Sequence, residues 1–215
     1  MKNIIFFLFF PLFLFPEESI EELLRDMQRA QNSITTLQAN FYQRKTSKLF
    51  KTPQEFKGVI YFKKPDYIRW EYTNPEKYII FVEKENFKIY YPSLKKVKMG
   101  KVSRLRGRIF SIIFAQEPLE KLKNYFTIEL RRKENEDTLI LTPQMFKLKK
   151  YWKSWKMVIN KKDYLPSSIE ILEKDGDLTY VEFKNLKIDL PLGEEIFKPE
   201  IPPDVLIENY TKTME

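Results

Sequence analysis

The sequence predicts a mainly β protein with added helix: a strongly curved antiparallel sheet with helices laid across its concave side. Three observations lead there. Short runs of period-two alternation fill most of the 215 residues, turn residues separate them closely, and two segments of helical period carry apolar stripes that need an apolar surface to cover. A curved sheet buries both stripes and its own inner aromatics together.

The chain opens with Lys2 and an unbroken apolar stretch from Ile4 to Phe15. That stretch is too short to span a bilayer and has the form of a secretory signal, so residues 1–16 are expected to be a signal peptide and 17–215 a single domain. Pro16 to Ser19 depart from the usual small-x-small cleavage pattern, and no Cys follows to accept a lipid. Helix is predicted from Ser19 to about Thr36, with Ser19 and Glu22 as a capping box and Ile20, Leu23, Leu24, Met27, Ala30 and Ile34 on one stripe. From about Leu37 to Pro92 five short strands follow. They are broken at Thr52-Pro53, Lys64-Pro65-Asp66, Asn74-Pro75 and Glu85-Asn86, the pattern of an antiparallel meander. Several carry aromatics on both faces, which predicts that both faces are covered. Between Ser103 and about Asn124 the helical period returns in Leu105, Ile109, Ile112 and Ile113, and Pro118 suits the first turn of a second short helix. About five more strands complete the pattern, at Tyr125 to Leu130, Thr138 to Leu141, Ser154 to Ile159, Ser167 to Leu172 and Leu178 to Leu186. Asp175-Gly176 is a hairpin signal between the last two.

Composition excludes more chemistry than it supplies. The chain has no Cys and no His, which removes a thiolate nucleophile, a disulfide, a Cys/His zinc site and the imidazole of a serine triad. Its 5 Gly form no phosphate-cradling loop, so nucleotide binding has no candidate segment. Carboxylates are plentiful, yet no pair is singled out for acid–base work. No catalytic residue, cofactor or metal ligand is assigned, and the chain is expected not to be an enzyme. The formal charge of +8 admits nucleic acid, anionic headgroups or an acidic partner, and export disfavours the first. Aromatic residues make up 15% of the chain, and something has to absorb that surface.

Several segments carry a family likeness. Phe41-x-Gln43 is followed by Gly58-Val59-Ile60-Tyr61-Phe62-Lys63-Lys64-Pro65, then by Ile68-Arg69-Trp70-Glu71-Tyr72 and Pro75. Farther on come Phe87 to Pro92, Leu141-Thr142-Pro143, Asp175-Gly176 and Phe197 to Val205. In order and spacing this set resembles the bacterial periplasmic lipoprotein carrier family, LolA, over nearly the whole chain after the signal. The resemblance implies an unclosed antiparallel β-barrel of about 10–11 strands with a lid of two to three helices over a hydrophobic cavity. It also implies a periplasmic monomer that takes acylated lipoproteins from an inner-membrane ABC transporter and passes them to an outer-membrane acceptor lipoprotein, with no cofactor and no nucleic acid. Two departures stand out. The family's usual Arg before Pro is Lys64, and the Lys often found in the Leu-x-Pro turn is Gln144. That Arg is thought to hold the lid by bonding helix backbone groups, where Lys offers a point charge instead of a planar fork.

On this likeness acyl-chain contacts are assigned to Phe41, Ile60, Phe62, Ile68, Trp70, Tyr72 and Ile89 on the sheet and to Ile109, Ile112 and Ile113 beneath the lid. Lid control is assigned to Lys64 and Arg69. The residues themselves leave alternatives: Trp70 and Ile68 share a strand face that lines either a cavity or a filled core, and Arg69 with Glu71 forms a surface ion pair. Trp152, Lys153 and Trp155 suit membrane and partner contact equally. A buried methylene is worth about 0.8 kcal/mol, so shielding a 16-carbon chain is worth on the order of 12 kcal/mol, and an interior of Phe, Leu, Ile, Tyr, Trp and Met supplies it without directional polar groups. Three other functions remain open: an envelope sensor of mislocalised lipoproteins, although the chain has no room for the second domain such sensors carry; a carrier of free lipid; and a hydrolase using Asp or Glu.

Overall fold

The computed structural model describes residues 19–102, 118–198 and 200–210. Helix α1, Ile20–Ser33, begins at the predicted capping box: Ser19 Oγ accepts from the Glu22 N–H at 3.2 Å and the Glu22 carboxylate accepts from the Ser19 N–H at 2.8 Å. Both bonds satisfy donors that a first helical turn leaves orphaned. Leu23, Leu24 and Met27 of its stripe are wholly buried. The helix stops short of the expected Thr36 because Ile34 turns extended, at φ −89° and ψ 129°, to enter the sheet.

Twelve strands then form one sheet: β1 Thr36–Thr46, β2 Gln54–Lys63, β3 Tyr67–Asn74, β4 Tyr78–Glu83, β5 Asn86–Tyr91, β6 Lys96–Lys101, β7 Phe126–Arg132, β8 Glu136–Pro143, β9 Trp152–Asn160, β10 Pro166–Glu173, β11 Leu178–Ile188 and β12 Leu206–Asn209. Their order is β12-β6-β5-β4-β3-β2-β1-β11-β10-β9-β8-β7. Strand β1 is central, pairing with β2 on one side and β11 on the other. Strands β7 and β12 are the outer ones, so the barrel is unclosed, and β12 against β6 is the parallel pair in an otherwise antiparallel ladder. The count exceeds the expected 10–11 by way of β6 and β12. The first reads Lys96-Val97-Lys98-Met99, which a solvated segment also produces, and the second spans four residues. The expected helix at Pro118 is a 3₁₀ helix, Leu119–Asn124, and Ile109, Ile112 and Ile113 lie outside the described residues. A one-turn helix α2, Phe146–Lys149, was not expected.

The concave face of the sheet is covered by helix and core, and the convex face only in part, since Asn40, Arg44, Thr127, Glu129, Arg131 and Lys156 on that face are exposed. On the concave side Leu23, Leu24 and Met27 pack with Leu119, Leu122, Leu139, Leu141, Trp155 and Met157 into the main core. A second cluster joins Phe41, Tyr72 and Val181 with half-buried Trp70, Tyr78 and Phe183. On the convex side the chain after β11 crosses β2 and β3. Lys63 Nζ donates to Leu192 O at 3.0 Å, Arg69 Nη1 donates to Ile196 O at 2.9 Å, and the rings of Tyr67 and Phe197 lie 5.7 Å apart. Arg69 was expected to hold the lid; it projects from the face opposite α1 and holds this C-terminal segment instead. Its ion pair with Glu71 exists at 2.7 Å, but beneath that segment, and its guanidinium sits over the Phe81 and Tyr61 rings.

Gly58 marks the closest approach within the sheet. A Cβ there would lie 1.9 Å from Glu71 O and 2.7 Å from the Phe41 ring, so Phe41 lies where a side chain would otherwise stand. Gly58→Ala is expected to displace Phe41 and loosen the β2–β3 ladder at a cost of about 1–3 kcal/mol, the usual range for overpacking. Urea unfolding of the two proteins measures it, and equal midpoints would contradict the crowding.

An apolar cavity beneath helix α1

Antiparallel register decides which side chains meet under the helix. Ala39 pairs with Ile60, Ile60 with Trp70 and Trp70 with Ile80, which puts these residues in one row on the concave face. On the other side of β1, Phe41 faces Phe183, Val181 faces Ile169, and Ile171 faces Trp155. Between these rows and the C-terminal half of α1 lies a cavity of about 160 Å³. Gln31 and Ile34 form its roof; Leu37, Ala39, Ile60, Phe62 and Trp70 form one wall, and Trp155, Leu165, Pro166, Ile169, Ile171, Val181, Phe183 and Leu186 the other. Among the described lining residues Gln31 is the one with a polar side chain beyond the two indoles. The Nε1 atoms of Trp70 and Trp155 are buried with no acceptor among the described residues. A void of this size lined mostly by aliphatic and aromatic groups has room for a benzene-sized apolar molecule.

Aromatic rings continue the wall beyond the cavity. Phe41 meets Trp70 and Tyr72 edge-on at 5.2 and 5.0 Å, Tyr72 stacks on Tyr78 at 4.2 Å, and Tyr78 on Tyr91 at 5.6 Å. Tyr72 Oη donates to Gln43 Oε1 at 2.9 Å. Burial pushes the Tyr72 phenol above its ordinary pKa and raises Tyr78 to about 12. Both remain neutral hydrogen-bonding groups at physiological pH.

The roof is fastened at its C-terminal end. Helix α1 has no basic residue in its last turn, and Lys64, at the β2–β3 turn, fills that role: its Nζ donates to Gln31 O at 2.8 Å and to Asn32 O at 3.0 Å. An ammonium there satisfies orphaned carbonyls and complements the negative end of the helix dipole. Burial lowers the pKa of Lys64, with the Asp189 carboxylate opposing the shift. Asp189 accepts from both the N–H and the Oγ1 of Thr35 at 2.8 Å, which pins the link between α1 and β1. Those two bonds, the backbone one first, hold its carboxyl below the usual range.

Residues 32–200 match the family described as outer membrane lipoprotein carrier protein LolA. This chain belongs to the LolA family. The outer-membrane lipoprotein carrier protein of Francisella tularensis subsp. novicida is 24% identical over 181 residues, covering 84% of this chain and 85% of that protein. Among solved structures, an uncharacterized conserved protein from Thermus thermophilus superposes with TM-score 0.58 at 14% identity, over 88% of this chain and 98% of that one. MucB superposes with TM-score 0.52 at 11% identity, over 86% of this chain and 64% of MucB. At such identities these two share the fold.

Of the positions assigned from LolA likeness, Ile60, Phe62 and Trp70 line the cavity. Phe41 and Tyr72 sit in the adjoining aromatic cluster. Ile68 and Ile89 occupy the same concave face by register but lie outside the lining. Trp155, left open between membrane and partner contact, turns inward and is 2% exposed, with Trp152 edge-on against it at 4.7 Å. The wall contributed by β10 and β11 was missed. Its strands were legible, but their hydrophobic alternation does not say which face meets Phe41; the β1–β11 pairing does.

Asp189 gives the fastening a pH dependence. A carboxyl whose folded pKa is depressed contributes stability that is fully present above its unfolded value of about 3.9 and is lost as pH falls through the lower folded value. Asp189→Asn, a residue tolerated at the left-handed φ of 54° found here, should remove that acid-range slope while leaving the neutral-pH fold in place. Unfolding midpoints between pH 2 and pH 6, followed by about 0.5-unit steps, test it; an unchanged acid limb would show that the carboxylate does not pin the Thr35 link.

Proposed function

We propose that this chain is a non-catalytic periplasmic carrier that shelters the acyl chains of lipoproteins, receiving them from an inner-membrane ABC transporter and passing them to an outer-membrane acceptor lipoprotein. The observation that carries the reading is the apolar cavity between α1 and the concave sheet, in a chain of the LolA family. Apolar walls with almost no directional groups suit a ligand recognised by its hydrocarbon, worth about 0.8 kcal/mol per methylene sheltered.

A space of about 160 Å³ is too small for a 16-carbon chain, so loading one requires α1 to lift from the sheet. Lys64 is the residue we assign to lid control, because releasing its two bonds frees the helix end that roofs the cavity. The acyl contacts fall to Ile60, Phe62 and Trp70, with Phe41 and Tyr72 behind them and Ile68 and Ile89 farther along the concave face.

Three measurements test the reading. Trp70→Glu should abolish binding of a fluorescent fatty-acyl probe while the circular dichroism spectrum is unchanged; undiminished affinity would remove Trp70 from the site. Lys64→Met should instead tighten probe binding about tenfold, since loss of roughly 1.4 kcal/mol of lid closure raises the open fraction by that factor. Mass spectrometry of molecules that co-purify from the native envelope identifies the cargo. Triacylated proteins fit the proposal, and bare lipids would reassign the chain to free-lipid carriage.

A further inference from the structure

The hairpins of this sheet open alternately at its two ends, and the two ends differ in chemistry. The β1–β2, β3–β4, β5–β6, β8–β9 and β10–β11 connections, at one end, hold eight Lys and three acidic residues; the β2–β3, β4–β5, β7–β8 and β9–β10 connections hold five and four. Six of the ten exposed large apolar side chains among the described residues, Leu49, Phe50, Leu94, Met145, Phe146 and Tyr151, lie in the first set of connections and none in the second. Ile188 ends β11 at the opposite end, and Leu206, Ile207 and Tyr210 lie in or just after β12. Leu49 is 87% exposed and Phe146 75%.

These loops adjoin one another. Lys174 N–H donates to Tyr151 O at 2.8 Å, joining the β10–β11 and β8–β9 connections. A Cβ at Gly176 would lie 3.1 Å from Lys48 Cε, so the β1–β2 hairpin touches the same group. Lys150 Nζ stands 5.0 Å from the centre of the Phe146 ring. Apolar tips ringed by lysines match the boundary of an anionic bilayer, where rings and aliphatic groups enter the headgroup layer while ammonium groups remain in water.

We propose that this rim docks on the surface of an anionic phospholipid membrane. Charge complementarity selects the leaflet: each lysine close to such a surface contributes roughly a fivefold gain in partitioning. The stacked row Tyr72, Tyr78 and Tyr91 runs from Trp70 toward the same end, and Tyr91 immediately precedes the β5–β6 connection. Docking therefore sets the aromatic wall of the concave face beside the lipid. The inference stands on the rim alone and holds whether the cargo is a lipoprotein or a free lipid.

The absence of Cys from the sequence permits a single-site test. A polarity-sensitive dye is attached to Leu49→Cys, and in a second protein to Glu134→Cys in the β7–β8 turn at the opposite end. Phosphatidylcholine vesicles mixed with phosphatidylglycerol should shift the Leu49→Cys emission to the blue; pure phosphatidylcholine should not, and the Glu134→Cys dye should respond to neither. High salt should weaken the shift. Combining Lys147→Ala, Lys149→Ala and Lys150→Ala with the labelled protein should raise the lipid needed for a half-maximal shift at least tenfold, while fatty-acyl probe binding stays unchanged. Equal responses at both ends, equal responses to the two vesicle types, or no shift at all would overturn the proposal. So would a dye silent with every vesicle that responds to an acidic protein, which would assign the rim to a protein partner.

Discussion

The structure depends on how unevenly helix α1 is supported. Its N-terminal half is packed solid, with Leu23, Leu24 and Met27 set among Leu139, Leu141, Trp155 and Met157. Truncating any one of these to Ala falls in the range of about 2–5 kcal/mol for buried leucine or methionine. Its C-terminal half, at Gln31 and the following Ile34, roofs a void. A helix built this way is anchored at one end and fastened at the other. What fastens it is polar: Lys64 on the last carbonyls and Asp189 on Thr35. Hydrophobic packing yields gradually as surfaces separate, whereas a few hydrogen bonds at an accessible edge are made or broken individually.

The convex face supports this arrangement from behind. Strands β2 and β3, which supply Ile60, Phe62 and Trp70 to the cavity, are braced on their other face by the segment after β11. Arg69 joins the two roles of β3. Its neighbour Trp70 points into the cavity, while Arg69 itself reaches Glu71 and Ile196 O on the far side. A wall clamped from behind keeps its shape when its front is emptied.

The elements from Ser19 to Tyr91 were legible almost residue by residue, because capping chemistry, proline turns and strict alternation agree there. The pattern failed where two signals conflict. Strand β6 alternates Lys with Val97 and Met99 and reads as solvated surface, yet Val97 is fully buried on the convex side. The cavity was half visible for a related reason. Alternation shows that Trp70 and Ile68 share a face, but Val181, Ile169 and Leu186 come to that face only through the β1–β11 pairing, between residues more than a hundred positions apart. Lys64 was legible by likeness to a family position, and its distances show that a point charge reaches two carbonyls where a planar fork was expected.

The outer strands β7 and β12 do not pair with each other, and this has a mechanical meaning. In a sealed barrel the circumference is set by the number of strands and their stagger, so enlarging the lumen breaks ladder bonds. Here the sheet is a split ring. Its radius can grow by uncurling while each existing strand pair stays intact, so the space within can adjust to guests of different girth without the wall coming apart.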